Sequence, residues 1–181
     1  MANDADLWER ICVGDASAFE TLFREVGPRL RSFLRIYSGG RVEADDIVQE
    51  TFLQMWKRPN GFDPGCGTLK QYIYGIARKR VAQKWRESPP TQALQETDMT
   101  QTSLDAEERG NAAGGDLTAA MRDGLMRLDV DERGLLWLRE VEGYSYGELA
   151  EILCVPLGTV KSRLFTAREN LRRIWVTGNK D

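Results

Sequence analysis

Residues 69–86, "LKQYIYGIARKRVAQKWR", carry Lys70, Arg78, Lys79, Arg80, Lys84 and Arg86 with no acid among them, and Tyr72, Tyr74 and Trp85 are interleaved. Ring faces stack on unpaired bases while cations follow the phosphates, so these residue types suit a single nucleic-acid strand. The bland alternative is that the rings pack in a core and the charges only solvate the helix. The Gly/Pro-rich stretch before it, "NGFDPGCGTL", forms either a small pocket with Phe62, Asp63 and Cys66 or a plain turn. A second basic segment, "GTVKSRLFTAR" (158–168), sets Thr159, Lys161, Ser162, Arg163, Thr166 and Arg168 between apolar residues at helical spacing. Hydroxyls and cations on the first turns of a helix suit base edges and phosphates in a major groove.

A third candidate face is acidic. In "DDIVQETFLQMW" (45–56), steps of 100° put Ile47, Val48, Thr51, Phe52 and Met55 on one arc, which is core. Asp45, Asp46, Gln49, Glu50, Leu53 and Gln54 take the other arc, with Trp56 at its border. This is either a solvated face with an incidental leucine or a docking surface, where acids steer a basic helical partner and Leu53 and Trp56 anchor it.

The elements that must position these faces read as helices. Apolar spacing of three and four recurs at Phe19, Leu22, Phe23 and Val26, at Leu30, Phe33 and Leu34, and across 45–56 and 69–85, where Ile73, Ile76, Ala77 and Val81 form the buried stripe. Sustained alternation and hairpin signals are absent. Ser145 and Glu148 have capping-box spacing and start a helix near residue 146 with Leu149, Ile152 and Leu153 on its apolar side. After the Cys154-Val155 turn, where Cys154 is expected to pack, Pro156 opens a second helix. Leu157, Val160, Leu164, Ala167, Leu171 and Ile174 form its seam toward "LLWLREV" (135–141). Two helices and a tight turn make a helix-turn-helix. The seam is too short for a two-stranded coiled coil.

Composition narrows the function. The 181 residues include no histidine and three separated cysteines, and no Walker, GxSxG or dinucleotide motif occurs. An enzyme, a metal centre and a small-molecule substrate are therefore not expected, and no cofactor is implied. No apolar run reaches membrane-spanning length and the N-terminus lacks a secretory pattern, so the expected location is cytoplasmic, without membrane insertion. Net charge is −3, distributed as +3 over residues 1–86, −6 over 87–118 and zero over 119–181. The middle stretch opens with Pro89-Pro90, closes near Gly114-Gly115 and has few bulky apolar residues, although a short helix near 103–109 is compatible with it. The expectation is an all-α chain of two small helical domains joined by a flexible acidic linker: 1–88, linker 89–116, 117–177 and a tail at 178–181.

Taken together, "DDIVQETFLQMW", "YIYGIARKRVAQKWR" and "EGYSYGELAEILCVPLGTVKSRLFTAR" resemble the extracytoplasmic-function (group 4) sigma factors of the bacterial sigma-70 family. The resemblance implies a sigma-2 domain, a linker and a helix-turn-helix sigma-4 domain in a transcription initiation factor without enzyme activity. Its implied partners are the bacterial RNA polymerase core, through the β′ clamp helices and the β flap, promoter DNA, and an anti-sigma factor. By resemblance, Asp45, Asp46, Gln49, Glu50, Leu53 and Trp56 would bind polymerase. Phe62, Asp63, Cys66, Tyr72, Tyr74, Arg78, Lys79, Arg80 and Lys84 would serve the −10 element, and Thr159, Lys161, Ser162, Arg163, Phe165, Thr166 and Arg168 the −35 element. The chain departs from the usual family residues at Tyr72 (Trp), Lys79 (Asn), Gln83 (Asp), Asp129 (Pro) and Thr166 (often Arg); of these, Lys79 and Gln83 bear on the −10 preference and Thr166 on the −35 preference. The competing reading is a self-sufficient dimeric helix-turn-helix regulator.

Overall fold

A computed structural model describes residues 4–87 and 119–178. The sequence-based linker, its possible helix near 103–109 and all but the first residue of the tail lie outside the described residues. Those that are described are helical, with no strand among them. The N-terminal half comprises α1 (Asp4–Cys12), α2 (Ala16–Ser38), α3 (Ala44–Lys57) and α4 (Leu69–Glu87). The C-terminal half comprises α5 (Ala119–Met126), α6 (Val130–Leu136) running into a π-helical turn (Trp137–Val141), α7 (Tyr146–Leu153) and α8 (Leu157–Gly178). No helix among the described residues is long and apolar enough to cross a membrane.

Helix α2 is the axis of the first half, and its ends are set locally. The Asp15 carboxylate accepts from Ser17 N at 2.9 Å and Ala18 N at 3.2 Å, satisfying two orphan amides of the first turn. Arg10 grips the same carboxylate at 2.8 Å, and this hydrogen bond, ahead of the cap bonds, holds the Asp15 carboxyl down at about 2. At the far end Gly39 stops the helix in the left-handed region, at φ 64°. Between them Leu22, Val26, Leu30, Phe33, Leu34 and Tyr37 form a buried stripe that receives α3 and α4.

A second capping box, absent from the sequence reading, starts α4. Thr68 Oγ1 accepts from Gln71 N at 3.2 Å while Gln71 Oε1 accepts from Thr68 N at 2.5 Å. Asp4 on α1 adds a bond from Leu69 N at 2.9 Å, tying the chain start to α4. In the C-terminal half the Ser145–Glu148 box forms as the spacing predicts, with bonds of 3.2 and 2.7 Å. Cys154 ends α7 in the left-handed region at φ 53° and is exposed, contrary to the packed position expected for it. A residue that must turn the chain sharply between two helices projects outward, which leaves its thiol at the surface.

The two halves do not stand apart. Helix α6 packs on α2 and α7 on α4, so a single hydrophobic core runs through both. Tyr74 of α4 meets Tyr144 edge-on, with ring centroids 5.8 Å apart. Between the halves lies Glu142, its side chain only 4% exposed, with Arg29 Nη1 at 3.6 Å. The Tyr74 hydroxyl and the Trp137 indole N–H face this carboxylate but fall short of full hydrogen-bond geometry. Burial pushes the Glu142 carboxyl above the ordinary range, and Arg29 only partly opposes it. A carboxyl raised in the folded state adds stability below its unfolded pKa and loses that contribution as pH rises through the folded one. Glu142→Gln is therefore expected to raise the thermal midpoint at pH 7, with the gain vanishing near pH 4. Calorimetry across that range checks it, and a lower midpoint at pH 7 would refute it.

Candidate nucleic-acid and partner interface

The acidic face stands on α3. Ile47, Val48, Thr51, Phe52 and Met55 are all buried, as the helical arc requires. Leu53 and Trp56 face outward, 50% and 41% exposed. The structure adds Phe23 of α2, which shares the apolar helical spacing yet is 39% exposed. Its ring meets Phe52 edge-on at 4.9 Å, while Trp56 meets Phe19 at 5.0 Å and Phe19 meets Phe52 at 5.9 Å. Edge-to-face contacts of this kind fix the rings without covering them. The apolar anchor thus spans α2 and α3.

Asp45, Glu50 and Gln54 of that face are already engaged. Asp45 pairs with Arg31 at 2.5 Å, and Glu50 accepts from Lys84 at 2.9 Å with Arg80 at 4.0 Å. Gln54 Oε1 accepts from Arg80 Nη2 at 2.7 Å and Nε at 3.1 Å. The hydrogen bond to Glu50 raises the Lys84 ammonium above its ordinary value. Asp46 and Gln49 are exposed. Arg80 and Lys84, two of the expected strand contacts, are therefore turned toward α3, because the two helices lie side by side.

The rest of the expected strand surface divides between core and solvent. Tyr74 is buried, packing edge-on against Phe33 at 5.1 Å, and offers no face to a base. Trp85 stacks on Tyr37 at 5.9 Å and is likewise spent on packing. Tyr72 is half-buried against Phe62 and Trp8, and Phe62 is itself buried. Asp63 caps the short turn Pro64–Cys66 by accepting from Gly65 N at 2.8 Å, and the Cys66 thiol donates to its other oxygen at 3.4 Å. That bond is the chief cause of the raised Cys66 pKa, which keeps the exposed thiol protonated. Lys79 is exposed, while Arg78 is mostly covered: its guanidinium lies 5.7 Å over the Tyr37 ring and 3.6 Å from Asp131 of α6.

Helix α8 carries an anchored and a presented face. Val160, Leu164 and Ala167 are fully buried, but Leu157, expected in the same seam, is 44% exposed. It opens the helix before the seam engages α6 and α7. Lys161, Ser162, Arg163, Phe165 and Thr166 are exposed, and Thr159 is half-buried. Ser162 donates back to the Thr159 carbonyl at 3.0 Å. Arg168 is drawn away from the open face by Glu140 at 2.7 Å and the Tyr146 hydroxyl at 3.4 Å, while Arg139 stacks on the Tyr146 ring at 4.9 Å.

Known proteins share both halves. Sigma-70 region 2 matches residues 22–88 and sigma-70 region 4 matches residues 118–171. The sigma-E factor of Escherichia coli, an ECF RNA polymerase sigma factor, is 32% identical over 92% of this chain and 91% of its own. The chain belongs to the ECF sigma factors of the sigma-70 family. The RNA polymerase sigma-H factor of Pseudomonas aeruginosa is 28% identical over 92% of this chain and 90% of its own. A solved sigma factor RpoE, in complex with the anti-sigma factor NepR from Bartonella quintana, is 25% identical, with a TM-score of 0.66 over 87% of this chain and 96% of that one.

In this sigma factor the two faces of α8 respond differently to truncation. Leu164→Ala is expected to cost about 2–5 kcal/mol of unfolding free energy, and Phe165→Ala to change it by no more than about 0.5 kcal/mol. Urea denaturation measures both. Equal losses would mean that the exposed ring is structural.

Proposed function

We propose that this sigma factor docks on the RNA polymerase core through the outer face of α3 and there directs promoter recognition and transcription initiation. The observation that carries the reading is the exposure of Leu53 and Trp56 among Asp45, Asp46, Gln49 and Glu50. A central apolar anchor ringed by acids suits a basic helical partner such as the β′ clamp helices. Residues 1–88 act as the sigma-2 domain, 89–116 as the linker, 117–177 as the sigma-4 domain and 178–181 as a tail. Tyr72, Lys79 and Arg78 serve the melted −10 strand together with Arg80, Lys84 and the turn at Phe62, Asp63 and Cys66, once Arg80 and Lys84 leave α3. Thr159, Lys161, Ser162, Arg163, Phe165 and Thr166 face the −35 duplex, with Arg168 released from Glu140 to join them.

The sigma-4 domain takes a second polymerase contact at the β flap. The protein works in the cytoplasm, needs no cofactor, catalyses nothing itself and is held in check by an anti-sigma factor, as the Bartonella relative is found in complex with one. Each grip on DNA is weak alone, and joining them on polymerase raises the effective concentration of the second. A dimeric regulator would leave exposed Leu53 and Trp56 without a task.

Run-off transcription with bacterial core polymerase tests the docking face. Leu53→Asp places a charge in the anchor and is expected to lower core affinity about 30-fold or more, the loss typical of a hot spot, with output falling at limiting factor. Equal activity in wild type and variant would reject this face.

A further inference from the structure

The loop between α3 and α4 is anchored by one side chain. Of residues 60–68 only Phe62 is buried, so whatever receives its ring sets the path of the rest. The receiving surface belongs to α1. Trp8, 5% exposed, meets Phe62 edge-on at 5.5 Å and Tyr72 edge-on at 6.4 Å, while Phe62 and Tyr72 lie 5.5 Å apart. Three rings in mutual contact fix one another's direction, because aromatic pairs have a preferred angle as well as a preferred distance. Asp4, one turn before Trp8, accepts from Leu69 N at 2.9 Å and secures the far end of the same loop. The Tyr72 hydroxyl lies against Gly61, where a methyl group would collide with it. Helix α1 precedes residues 22–88, the span shared with sigma-70 region 2.

We propose that Trp8 is a positioning residue of the −10 strand site: from α1 its ring sets, through Phe62 and Tyr72, the shape of the loop that receives a base of the melted strand. The inference rests on the assignment of Tyr72 and this loop to the −10 element. Trp8 is buried and so acts only through the rings it orients. A loop already in its binding shape loses little freedom when the base arrives, and exposed Asp63 and Cys66 then stand in a fixed relation to the Tyr72 ring. Exposed Lys79, suited to phosphate, lies on α4 and does not depend on the loop. Loss of the Trp8 ring therefore blurs the choice of base and leaves the sequence-independent hold on the strand intact.

Holoenzyme formed from the full chain and bacterial core polymerase tests this on the fluorescein-labelled non-template strand of a promoter it transcribes, intact and with an abasic site at each −10 position in turn. For wild type, at least one abasic site should weaken binding by about tenfold or more in an anisotropy titration. Trp8→Met fills the site with a flexible apolar chain, and Gly61→Ala displaces Tyr72 while leaving every buried side chain in place. Each should reduce the penalty to about threefold or less, with helical circular dichroism, core affinity and binding of the abasic strand unchanged. Trp8→Phe, which returns a ring, should restore the penalty. A full penalty in either folded variant, equal weakening toward intact and abasic strands, or Trp8→Phe behaving as Trp8→Met would each overturn the proposal. Failure of the −10 assignment shows separately, as a wild-type holoenzyme indifferent to every abasic site, and would overturn both.

Discussion

The stacked rings of Phe33 and Tyr37, 5.2 Å apart and nearly parallel on successive turns of α2, hold the molecule together. Tyr74 meets Phe33 edge-on, which fixes the start of α4, and Trp85 stacks on Tyr37, which fixes its end. Helix α3 lies beside both, so the outward direction of Leu53 and Trp56 depends on rings they never touch. The C-terminal half uses the same platform through Gly134. Aromatic pairs contribute about 0.5–1.5 kcal/mol beyond their buried area, and here several share two rings.

Against this rigid centre the surface is a set of competing charge partners. Glu50 and Gln54 hold Arg80 and Lys84, Asp131 holds Arg78, and Glu140 holds Arg168. Each pair is at least partly exposed, where such contacts typically contribute about 0–1 kcal/mol, so a phosphate or a partner's cation can displace them. The cations proposed to hold DNA are largely occupied within the free chain. An overall charge of −3 adds to the same result, poor affinity for DNA in isolation.

Much of this was legible in the sequence because helical periodicity separates inside from outside. The arc of Ile47, Val48, Thr51, Phe52 and Met55, the Ser145–Glu148 box and the buried Val160, Leu164 and Ala167 all appear where spacing puts them. Periodicity does not say how many partners a helix has. Tyr74 and Trp85 looked like a stacking platform because the second face of α4 is covered by α2 and by the C-terminal half, which no local pattern reports. Phe23 and Leu157 erred the other way, having the right spacing but neighbours that leave them 39% and 44% exposed. Cys154 was misplaced because its left-handed backbone is set by the turn between helices. The Thr68–Gln71 box was readable from its T-x-x-Q spacing and masked by the glycines before it.

The account makes polymerase the condition for DNA binding. Its most direct test is the affinity of the purified chain for a duplex that the holoenzyme transcribes, measured by fluorescence anisotropy at physiological salt with and without core polymerase. Binding that is at the non-specific micromolar level alone and becomes nanomolar only with core is the predicted result. Nanomolar binding by the chain alone would contradict it.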